Sequence, residues 1–365
     1  MKVNDNLSAA RKASNDEFYT LYQDIEREMN AYLDFNADVF KGKTILLPCD
    51  DPEWSNFTKY FAQKFEALGL KKLISTSYAP NSKPREIPYQ PTLFELESPA
   101  FDEEKTQSHG KIFTLTKDRT GDGVINVDDL QWTYLEGDGD FRSDEIRALR
   151  DEADIIVTNP PFSLFREFLA WLVEADKDFV ILGNVNAITT KEVFPYIKDN
   201  KVWLGATRNG VGSMWFVVPD NAPEKTGQRV EDGKRYQTVG STSWFSTLDH
   251  GRRHEPLTLM TEADNKKFSR KKEIKDIGYL EFDNYEAIEV PFTDAIPSDY
   301  EGAMGVPISF LSKYNPDQFE ILDANDFRKP HQREKSNALI KDADGSVNGV
   351  NKYVRILIRH KKVSK

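Results

Sequence analysis

The stretch of this chain whose residue types could carry chemistry most directly is TNPPF, residues 158–162. It follows a strand-like apolar run and precedes a helical pattern. Pro160 and Pro161 cannot donate backbone hydrogen bonds and hold φ at about –65°, so they end the strand in a rigid turn. The turn could be simple punctuation, but it would also hold the amide of Asn159 and the ring of Phe162 in fixed positions. The pattern therefore raises the possibility of a preset site for hydrogen bonding and stacking.

A second candidate is DRTGDGVINVDD, residues 118–129, whose spacing resembles a calcium loop. Asp118, Asp122 and Asp129 would supply oxygen ligands, and Gly123 would supply the sharp turn of an EF-hand. Threonine at the third position and a short aspartate at the twelfth depart from that pattern, and the flanking segments read as strands. A Gly-Asp-Gly hairpin turn is the favoured alternative. We assign no metal ligand, and calcium binding by this loop stays open.

Other common catalytic signatures do not occur in the sequence. The five histidines are scattered and there is no G-x-S-x-G elbow, which weighs against a Ser-His-Asp hydrolase. Neither of the common phosphate-binding glycine loops is present. A single cysteine, Cys49, excludes an internal disulfide framework and the usual cysteine-based zinc site. These absences direct attention back to TNPPF.

The elements that must position this motif follow an alternating pattern. Apolar runs at 43–49, 71–78, 154–158 and 178–185 predict buried strands, and amphipathic segments between them predict helices. One such helix is predicted over residues 51–69, with Asp51 as its N-cap. This order predicts an α/β fold with a mainly parallel sheet and helices on both faces.

The organisation changes along the chain. After about residue 220 the helix–strand rhythm is lost, which indicates a less regular module. The net charge is –11, but residues 1–200 carry –13 and residues 201–365 carry +2. This asymmetry predicts an acidic catalytic body and a more basic part that faces a polyanion. There is no apolar run of membrane-spanning length and no apolar signal core at the N-terminus, so we expect a cytoplasmic protein without a membrane partner.

The TNPPF segment resembles the [Asn/Asp/Ser]-Pro-Pro-[Tyr/Phe/Trp] motif of S-adenosylmethionine-dependent amino-methyltransferases. The resemblance implies catalytic roles for Asn159, Pro160, Pro161 and Phe162. The Asn159 amide oxygen and the Pro160 carbonyl would accept both N–H bonds of an exocyclic amine. Its lone pair would then turn from the ring toward the methyl donor without a strong general base. Phe162 would stack on a base flipped out of the duplex.

Further segments narrow this resemblance. With SNDEFYTLYQDIE, CDDPEWSNFTKYF, GDGDFRSDEI and STSWFSTLDHGRRHE, the chain is similar over about residues 14–256 to the EcoRI-type adenine-specific DNA methyltransferases. The order of these motifs is that of the gamma group. The resemblance implies a Rossmann-like sheet that binds S-adenosylmethionine through residues in three segments and the motif itself: Phe18, Tyr19, Thr20, Cys49, Asp50, Asp51, Asp140, Phe141 and Asn159.

One departure from the family concerns the cofactor loop. The common form is Asp-x-Phe-x-Gly-x-Gly, whose glycines allow close approach of the methionine moiety, whereas this chain has PCDDPEWSNF without glycine. The EcoRI-type group shares such a degenerate loop, but the individual contacts of Cys49, Asp50 and Asp51 are placed in doubt. The usual acidic residue for the cofactor ribose is also absent after the second strand, and its substitute is not assigned.

These inferences predict a monomeric DNA adenine N6-methyltransferase acting on double-stranded DNA, bacterial or phage-encoded, with a cognate restriction endonuclease as a possible separate partner. The predicted domains are an N-terminal helical segment with the Phe-Tyr-Thr cofactor motif (1–40), a methyltransferase catalytic domain (41–220) and a DNA-recognition region (221–365). The alternative for the basic clusters of the recognition region is ordinary solvent-exposed surface charge that binds no DNA. DNA contacts are predicted for seven residues: Arg252, Arg253, Lys266, Lys267, Arg270, Lys271 and Lys272.

Two other functions stay open from the sequence. One is methylation of another planar amine or amide, such as an RNA base or a protein glutamine; a phenylalanine at position 162 weighs modestly against the glutamine enzymes, where tyrosine is commoner. The other is a catalytically silent DNA-binding relative, which only the degenerate cofactor loop favours. The DNA recognition sequence cannot be deduced from the residue pattern.

Overall fold

The computed structural model describes residues 19–50, 55–79, 96, 99–125, 127–207, 214–218, 227–329, 339–340 and 345–362. Two of the predicted cofactor contacts, Phe18 and Asp51, lie outside these residues. The chain forms two compact units: residues 1–185 with 205–249, and residues 186–204 with 250–365.

The described helices are α1 (Tyr22–Phe35), α2 (Asn56–Gln63), α3 (Asp144–Glu152), α4 (Phe165–Glu174), α5 (Phe194–Lys198) and α6 (Glu262–Phe268). The described strands are β1 (Tyr19–Thr20), β2 (Thr44–Pro48), β3 (Lys72–Ser77), β4 (Lys111–Leu115), β5 (Gln131–Tyr134), β6 (Ile155–Thr158), β7 (Asp178–Asn184), β8 (Trp203–Leu204), β9 (Trp215–Val218), β10 (Arg229–Glu231), β11 (Lys234–Thr238), β12 (Thr242–Ser246), β13 (Leu280–Glu281), β14 (Ala287–Glu289), β15 (Ala303–Pro307), β16 (Phe319–Ile321), β17 (Leu339–Ile340), β18 (Ser346–Val347), β19 (Val350–Asn351) and β20 (Arg355–His360).

Seven strands of the first unit lie in one sheet in the order β5-β4-β3-β2-β6-β7-β12. The strand β2 is central, and Leu46 pairs in parallel with Ile74 of β3 on one side and with Ile156 of β6 on the other. All three residues are fully buried. Their continuous apolar runs therefore mark strands covered on both faces, as the sequence predicted.

The prediction of a mainly parallel sheet was wrong in its outer strands. Only β3, β2, β6 and β7 are mutually parallel, while β4, β5 and β12 join them antiparallel. A parallel pair needs a crossover connection, usually through a helix. The described residues between β4 and β5 hold only a short 3₁₀ turn, Val127–Asp129, so these two strands pair as neighbours in a hairpin. The result is a mixed α/β sheet.

The helix α1 packs onto this sheet through one apolar face. Ile25, Met29 and Tyr32 are fully buried and belong to the same core cluster as Tyr60 and Phe61 of α2. Their spacing at three and four residues places them on one side of the helix. The short strand β1 therefore leads into a helix that is fixed against the main sheet of the first unit.

The predicted helix over 51–69 is shorter than expected. It runs as α2 from Asn56 to Gln63, and Ser55 is its N-cap, accepting a hydrogen bond from the Phe57 amide at 3.1 Å. The cap therefore lies four residues later than predicted. Serine is as good an N-cap residue as aspartate. The chain after Gln63 continues in turns to Gly69, whose φ of 61° suits glycine.

A second sheet of the first unit has the order β1-β9-β11-β10. Thr20 of β1 pairs with Phe216 of β9, and β11 lies on the other side of β9. Phe216 is fully buried and belongs to the same core cluster as the large sheet's Ile45. This small sheet therefore packs one face against the main core of its unit.

The second unit contains its own sheet, in the order β13-β14-β15-β20-β16, with β17 also paired to β20. A separate core of buried residues includes Phe282, Tyr285 and Leu357. Within the described part of the chain, no helix has both the length and the apolar character needed to span a bilayer.

Candidate active site

The loops that follow β2 and β6 leave the sheet at one edge, because the two strands are parallel neighbours. The chain passes from β2 through α2 to β3 on one side, while β6 lies on the other. This reversal is a topological switch point, where open α/β sheets bind their ligands at the carboxyl ends of the strands. The predicted catalytic motif and the predicted cofactor loop therefore meet at the expected place for a site.

The predicted catalytic turn, residues 159–162, begins where β6 ends. Thr158 is fully buried and Pro160 is also buried, whereas Asn159 and Phe162 are half-buried. The Asn159 Oδ1 atom itself is shielded from solvent. A 3₁₀ turn over Phe162–Leu164 leads directly into α4, and the Leu164 amide donates to the Pro161 carbonyl at 2.9 Å. The prolines thus hold the turn between a buried strand and a helix.

The ring of Phe162 meets Phe216 edge to face, with ring centroids 6.5 Å apart and an interplanar angle of 86°. Phe216 is the strand partner of Thr20. Tyr19 and Thr20 of β1 therefore lie next to the strand, β9, whose Phe216 contacts the predicted catalytic motif. The Asn56 side-chain amide donates to the Thr20 carbonyl at 2.8 Å. The sequence did not single out Phe216, since no local pattern relates it to TNPPF.

The loop after β2 is held by a network centred on Asp50, which is 6% exposed. Its carboxyl oxygens accept from Ser55 Oγ at 2.7 Å and contact Thr158 Oγ1 at 2.6 Å. The Thr158 hydroxyl also lies 2.7 Å from the Pro48 carbonyl, and with one proton it is shared between the two oxygens. Asp50 therefore joins the cap of α2 to the residue that precedes Asn159.

The backbone of the same loop is tied to β3. The amides of Cys49 and Asp50 both donate to the Thr76 carbonyl, at 3.1 and 2.9 Å, and Ser75 Oγ donates to the Asp50 carbonyl. Cys49 has a φ of 85°, a left-handed value that glycine adopts more easily. The loop thus reaches a glycine-like conformation without glycine. These bonds give Asp50 a structural role, and its contact with a cofactor stays a prediction.

The GDGDF segment, residues 137–141, reaches the same edge by close packing on the end of β3. The Ala79 amide donates to the Asp138 carbonyl at 2.8 Å. A Cβ at Gly139 would lie 2.4 Å from the Ser77 carbonyl oxygen, and Gly139 has a φ of 86°. Glycine is therefore required at position 139 for both its conformation and its space.

Asp140 is paired with Arg142, which the sequence interpretation did not single out. The Arg142 Nε and Nη2 atoms lie 2.8 and 2.5 Å from the two carboxylate oxygens, in the bidentate geometry that arginine favours. Although burial raises the pKa of Asp140, the hydrogen bonds and charge of Arg142 hold that pKa below its ordinary value. The side chain of Asp140, 22% exposed, is thus kept ionised. Burial, with the charges of Cys49 and Asp140, raises the pKa of the neighbouring Tyr78.

Phe141, the other predicted contact in this segment, is 1% exposed. Its ring lies 5.1 Å from that of Phe168 and 5.6 Å from that of Trp171, both on α4. This packing anchors the segment to the helix that follows the catalytic turn. A cofactor contact by the Phe141 side chain stays a prediction.

The carboxylates of the calcium-like loop point at its own backbone. Asp118 accepts from the amides of Gly121 and Gly123 at 2.7 and 2.9 Å, and Asp129 accepts from those of Arg119 and Thr120 at 2.7 and 2.9 Å. These bonds are those of a tight turn. Over the described residues, no group of three or more acidic, histidine or cysteine side chains is arranged to hold a metal ion.

The seven residues predicted to contact DNA all lie in the second unit, where their environments differ. Arg253 is 6% exposed, with its guanidinium 3.5 Å from the Trp203 ring centroid and 2.7 Å from the Asn200 side-chain oxygen. Lys266, Lys267, Arg270 and Lys272 are exposed, while Arg252 and Lys271 are half-buried. The ammonium of Lys266 pairs with Glu262 at 2.6 Å. DNA contact by this set stays a prediction, and for Arg253 the stacking on Trp203 is an established internal role.

Comparisons with known proteins identify one family over nearly the whole chain. A family model described as adenine-specific methyltransferase EcoRI matches residues 6–361. The chain is 40% identical to the type II methyltransferase M.EcoRI of Escherichia coli, over 100% of this chain and 98% of that protein. It is 33% identical to the type II methyltransferase M.MpnI of Mycoplasma pneumoniae, over 98% of each. No solved structure matches significantly.

Proposed function

Because the chain belongs to the EcoRI family of adenine-specific methyltransferases, we propose that it transfers a methyl group from S-adenosylmethionine to N6 of a flipped-out adenine at a specific site in duplex DNA. The observation that carries this proposal is the meeting of three segments at the switch-point edge. Thr20 is the strand partner of Phe216, Phe216 contacts Phe162, and Asp50 contacts Thr158. These contacts bring together the parts that the family resemblance assigns to the methyl donor and to the adenine.

The residues at this edge fit S-adenosylmethionine, which supplies a methyl group on a positively charged sulfur. Asp140 remains 22% exposed, and Arg142 keeps it in the ionised form that accepts a hydrogen bond from an adenine amine. Tyr19 and Cys49 are half-buried around the same edge. In this proposal they bind the donor, and the rigid loops orient it toward the catalytic turn.

The catalytic turn polarises the target amine. The Asn159 Oδ1 atom and the Pro160 carbonyl each accept one N–H of the adenine amine, which draws its lone pair out of conjugation with the ring. Two prolines restrict the φ angles of this turn, so the backbone that carries both acceptors is preset before the reaction. Phe162, backed by Phe216, stacks on the flipped base. The chain thereby accelerates transfer through position and electrostatics.

The proposed division of labour along the chain is a segment for the donor (1–40), a Rossmann-like catalytic domain (41–220) and a DNA-recognition region (221–365). The exposed lysines and Arg270 contact phosphates or bases, so DNA affinity falls steeply as salt rises. We further propose that the protein acts as a monomer in restriction–modification, with any cognate endonuclease acting separately. The relatives named type II methyltransferases support the role in restriction–modification.

Methylation of a mixed DNA pool, followed by mapping of N6-methyladenine by sequencing, tests substrate, atom and site together. We expect methylation confined to one short sequence, and methylation about 1000-fold slower with the Asn159→Ala variant as a matched control. Methylation of RNA or of protein glutamine instead of DNA would overturn the assignment of substrate. Absence of S-adenosylmethionine binding by calorimetry would overturn the enzymatic role itself.

A further inference from the structure

We propose that Arg229 is a DNA-contacting residue that offers its guanidinium, packed against two aromatic rings, to a pair of acceptor atoms on duplex DNA. This inference rests on the proposed function and extends it to a residue outside the basic clusters of the second unit. Arg229 lies on β10, the outermost strand of the small sheet in the first unit.

The small sheet connects Arg229 to the candidate active site. Its order is β1-β9-β11-β10, and Phe216 on β9 contacts Phe162 of the catalytic turn. Residues 229–231 and 234–238 form a hairpin whose turn, Asp232–Gly233, has φ angles of 50° and 72°. Positive φ at both positions is typical of a tight hairpin. The hairpin is therefore a two-stranded ribbon anchored, through β9, to the wall of the site.

The face of this sheet opposite Phe216 carries the aromatic residues. In β9, Trp215 and Phe216 point to opposite faces because successive strand residues alternate. The Arg229 guanidinium lies 4.5 Å from the Trp215 ring centroid and 5.1 Å from that of Tyr236. Tyr236 is also the cross-strand partner of Arg229. The two rings thus hold the guanidinium plane on the face turned away from the core.

The held guanidinium remains available to a ligand. The Arg229 side chain is 47% exposed, and its ion pair with Glu231 spans 3.6 Å between two exposed side chains. Such pairs contribute little. By contrast, Arg235 on the neighbouring strand donates to Gln228 at 3.0 Å, and Gln228 donates to Gln237 at 2.8 Å. Arg235 is therefore bound into the hairpin, whereas the side chain of Arg229 stays about half exposed.

Duplex DNA is the partner that this arrangement fits. A two-stranded ribbon fits the major groove, and an arginine fork pairs with the O6 and N7 atoms of guanine or with two phosphate oxygens. Stacking on aromatic rings removes part of the side-chain entropy that arginine otherwise loses on binding. Arg229 lies two strands from Phe216 and on the opposite face of this sheet, so the proposed contact is with DNA outside the pocket of the flipped base. Simple surface charge would need neither the two rings nor the ribbon.

The test measures binding of the full-length protein to a duplex that contains its mapped methylation site, by fluorescence anisotropy over a series of KCl concentrations. Arg229→Ala is expected to weaken binding by about 5- to 150-fold, the range for loss of one bidentate contact. Arg229→Lys, which keeps the charge but loses the fork, is expected to recover only part of that loss. The matched control is Arg27→Ala, because Arg27 on α1 is also exposed and pairs with an acidic neighbour at 3.2 Å.

Two results support the proposal and identify the acceptor. A salt dependence reduced by about one counterion indicates phosphate, whereas an unchanged salt dependence with weaker discrimination against altered sites indicates a base edge. Unchanged S-adenosylmethionine affinity shows that the variants are folded. If the wild-type protein methylates DNA and Arg229→Ala binds it equally well at every salt concentration, this inference is wrong. If the wild-type protein neither binds nor methylates DNA, the proposed function fails with it.

Discussion

The loops after β6 and β2 leave the sheet side by side, but different interactions hold them in place. After β6, two consecutive prolines restrict the backbone directly and a 3₁₀ turn follows at once. After β2, the two described loop residues are Cys49 and Asp50, neither of which restricts the backbone as proline does. This loop depends on hydrogen bonds to Thr76, Ser55 and Thr158. One loop is rigid through covalent structure, and the other is rigid through tertiary contacts.

This difference separates chemistry from stability. In the loop after β6, the side chain of Asn159 can change while the prolines keep the turn. In the loop after β2, the side chain of Asp50 is itself the support, so its loss affects the fold first and the reaction second. Thr158 belongs to both, since its backbone precedes Asn159 and its hydroxyl contacts Asp50. The following substitutions test this separation.

The largest expected effect is that of Asn159→Ala on turnover. Removal of one preset acceptor should lower kcat by about 1000-fold, at the upper end for a lost electrostatic contact in an active site. The melting temperature should change little, because Pro160 and Pro161 still hold the turn. Transfer of a labelled methyl group to DNA measures the first quantity and thermal unfolding the second. Asn159→Asp, which keeps an acceptor oxygen, should retain more activity; wild-type turnover by the alanine variant would contradict the assigned role.

Asp50→Ala should show the opposite pattern. It leaves the Ser55 and Thr158 hydroxyls without their carboxyl partner, which should lower the free energy of unfolding by about 2–3 kcal/mol. Urea denaturation measures this change, and S-adenosylmethionine affinity should fall with it because the loop loosens. Asp50→Asn keeps one acceptor oxygen and serves as the milder control. A loss of turnover without a loss of stability would show that Asp50 acts on the ligand directly.

Phe162→Ala should weaken binding of duplex DNA by about 1–3 kcal/mol, the usual range for the loss of stacking on a base. A fluorescent base analogue at the target position reports the flipped state, and its signal should fall in the variant. Phe162→Tyr keeps the ring and should behave like the wild type. If the analogue responds equally with alanine, the base does not stack on Phe162, and the turn after β6 contributes through its acceptors alone.

The smallest effect concerns Asp140 and pH. Its pKa in the folded protein lies below the ordinary value of about 3.9, so its pairing with Arg142 stabilises the fold above that value. This contribution is lost as the pH falls through the folded pKa. The free energy of unfolding of the wild type should therefore exceed that of Asp140→Asn by at most about 1 kcal/mol near neutral pH. This difference should shrink below about pH 4. Melting curves across pH 2–7 measure it, and a pH-independent difference would contradict the ionised pair.

Prediction from the sequence succeeded where the relevant physics is local. The strand at Ile155–Thr158, the turn after it and the helix α4 were all predicted, because apolar runs, prolines and helical spacing act within a few residues. The family and its adenine-specific activity were also predicted from motifs, and the comparisons confirmed them. The outer strands were predicted less well, since the direction of β4 depends on how the chain returns to the sheet.

The turn after β6 was thus determined by the sequence itself, because two prolines restrict the backbone in any tertiary context. Only the tertiary structure decided what surrounds that turn. The bond between Thr158 and Asp50 joins residues 108 positions apart, and Phe216 reaches Phe162 from a different sheet. Residues so distant in the chain leave no periodicity or spacing that could reveal their contact. Their pairing depends on strand order, which is a property of the folded chain as a whole.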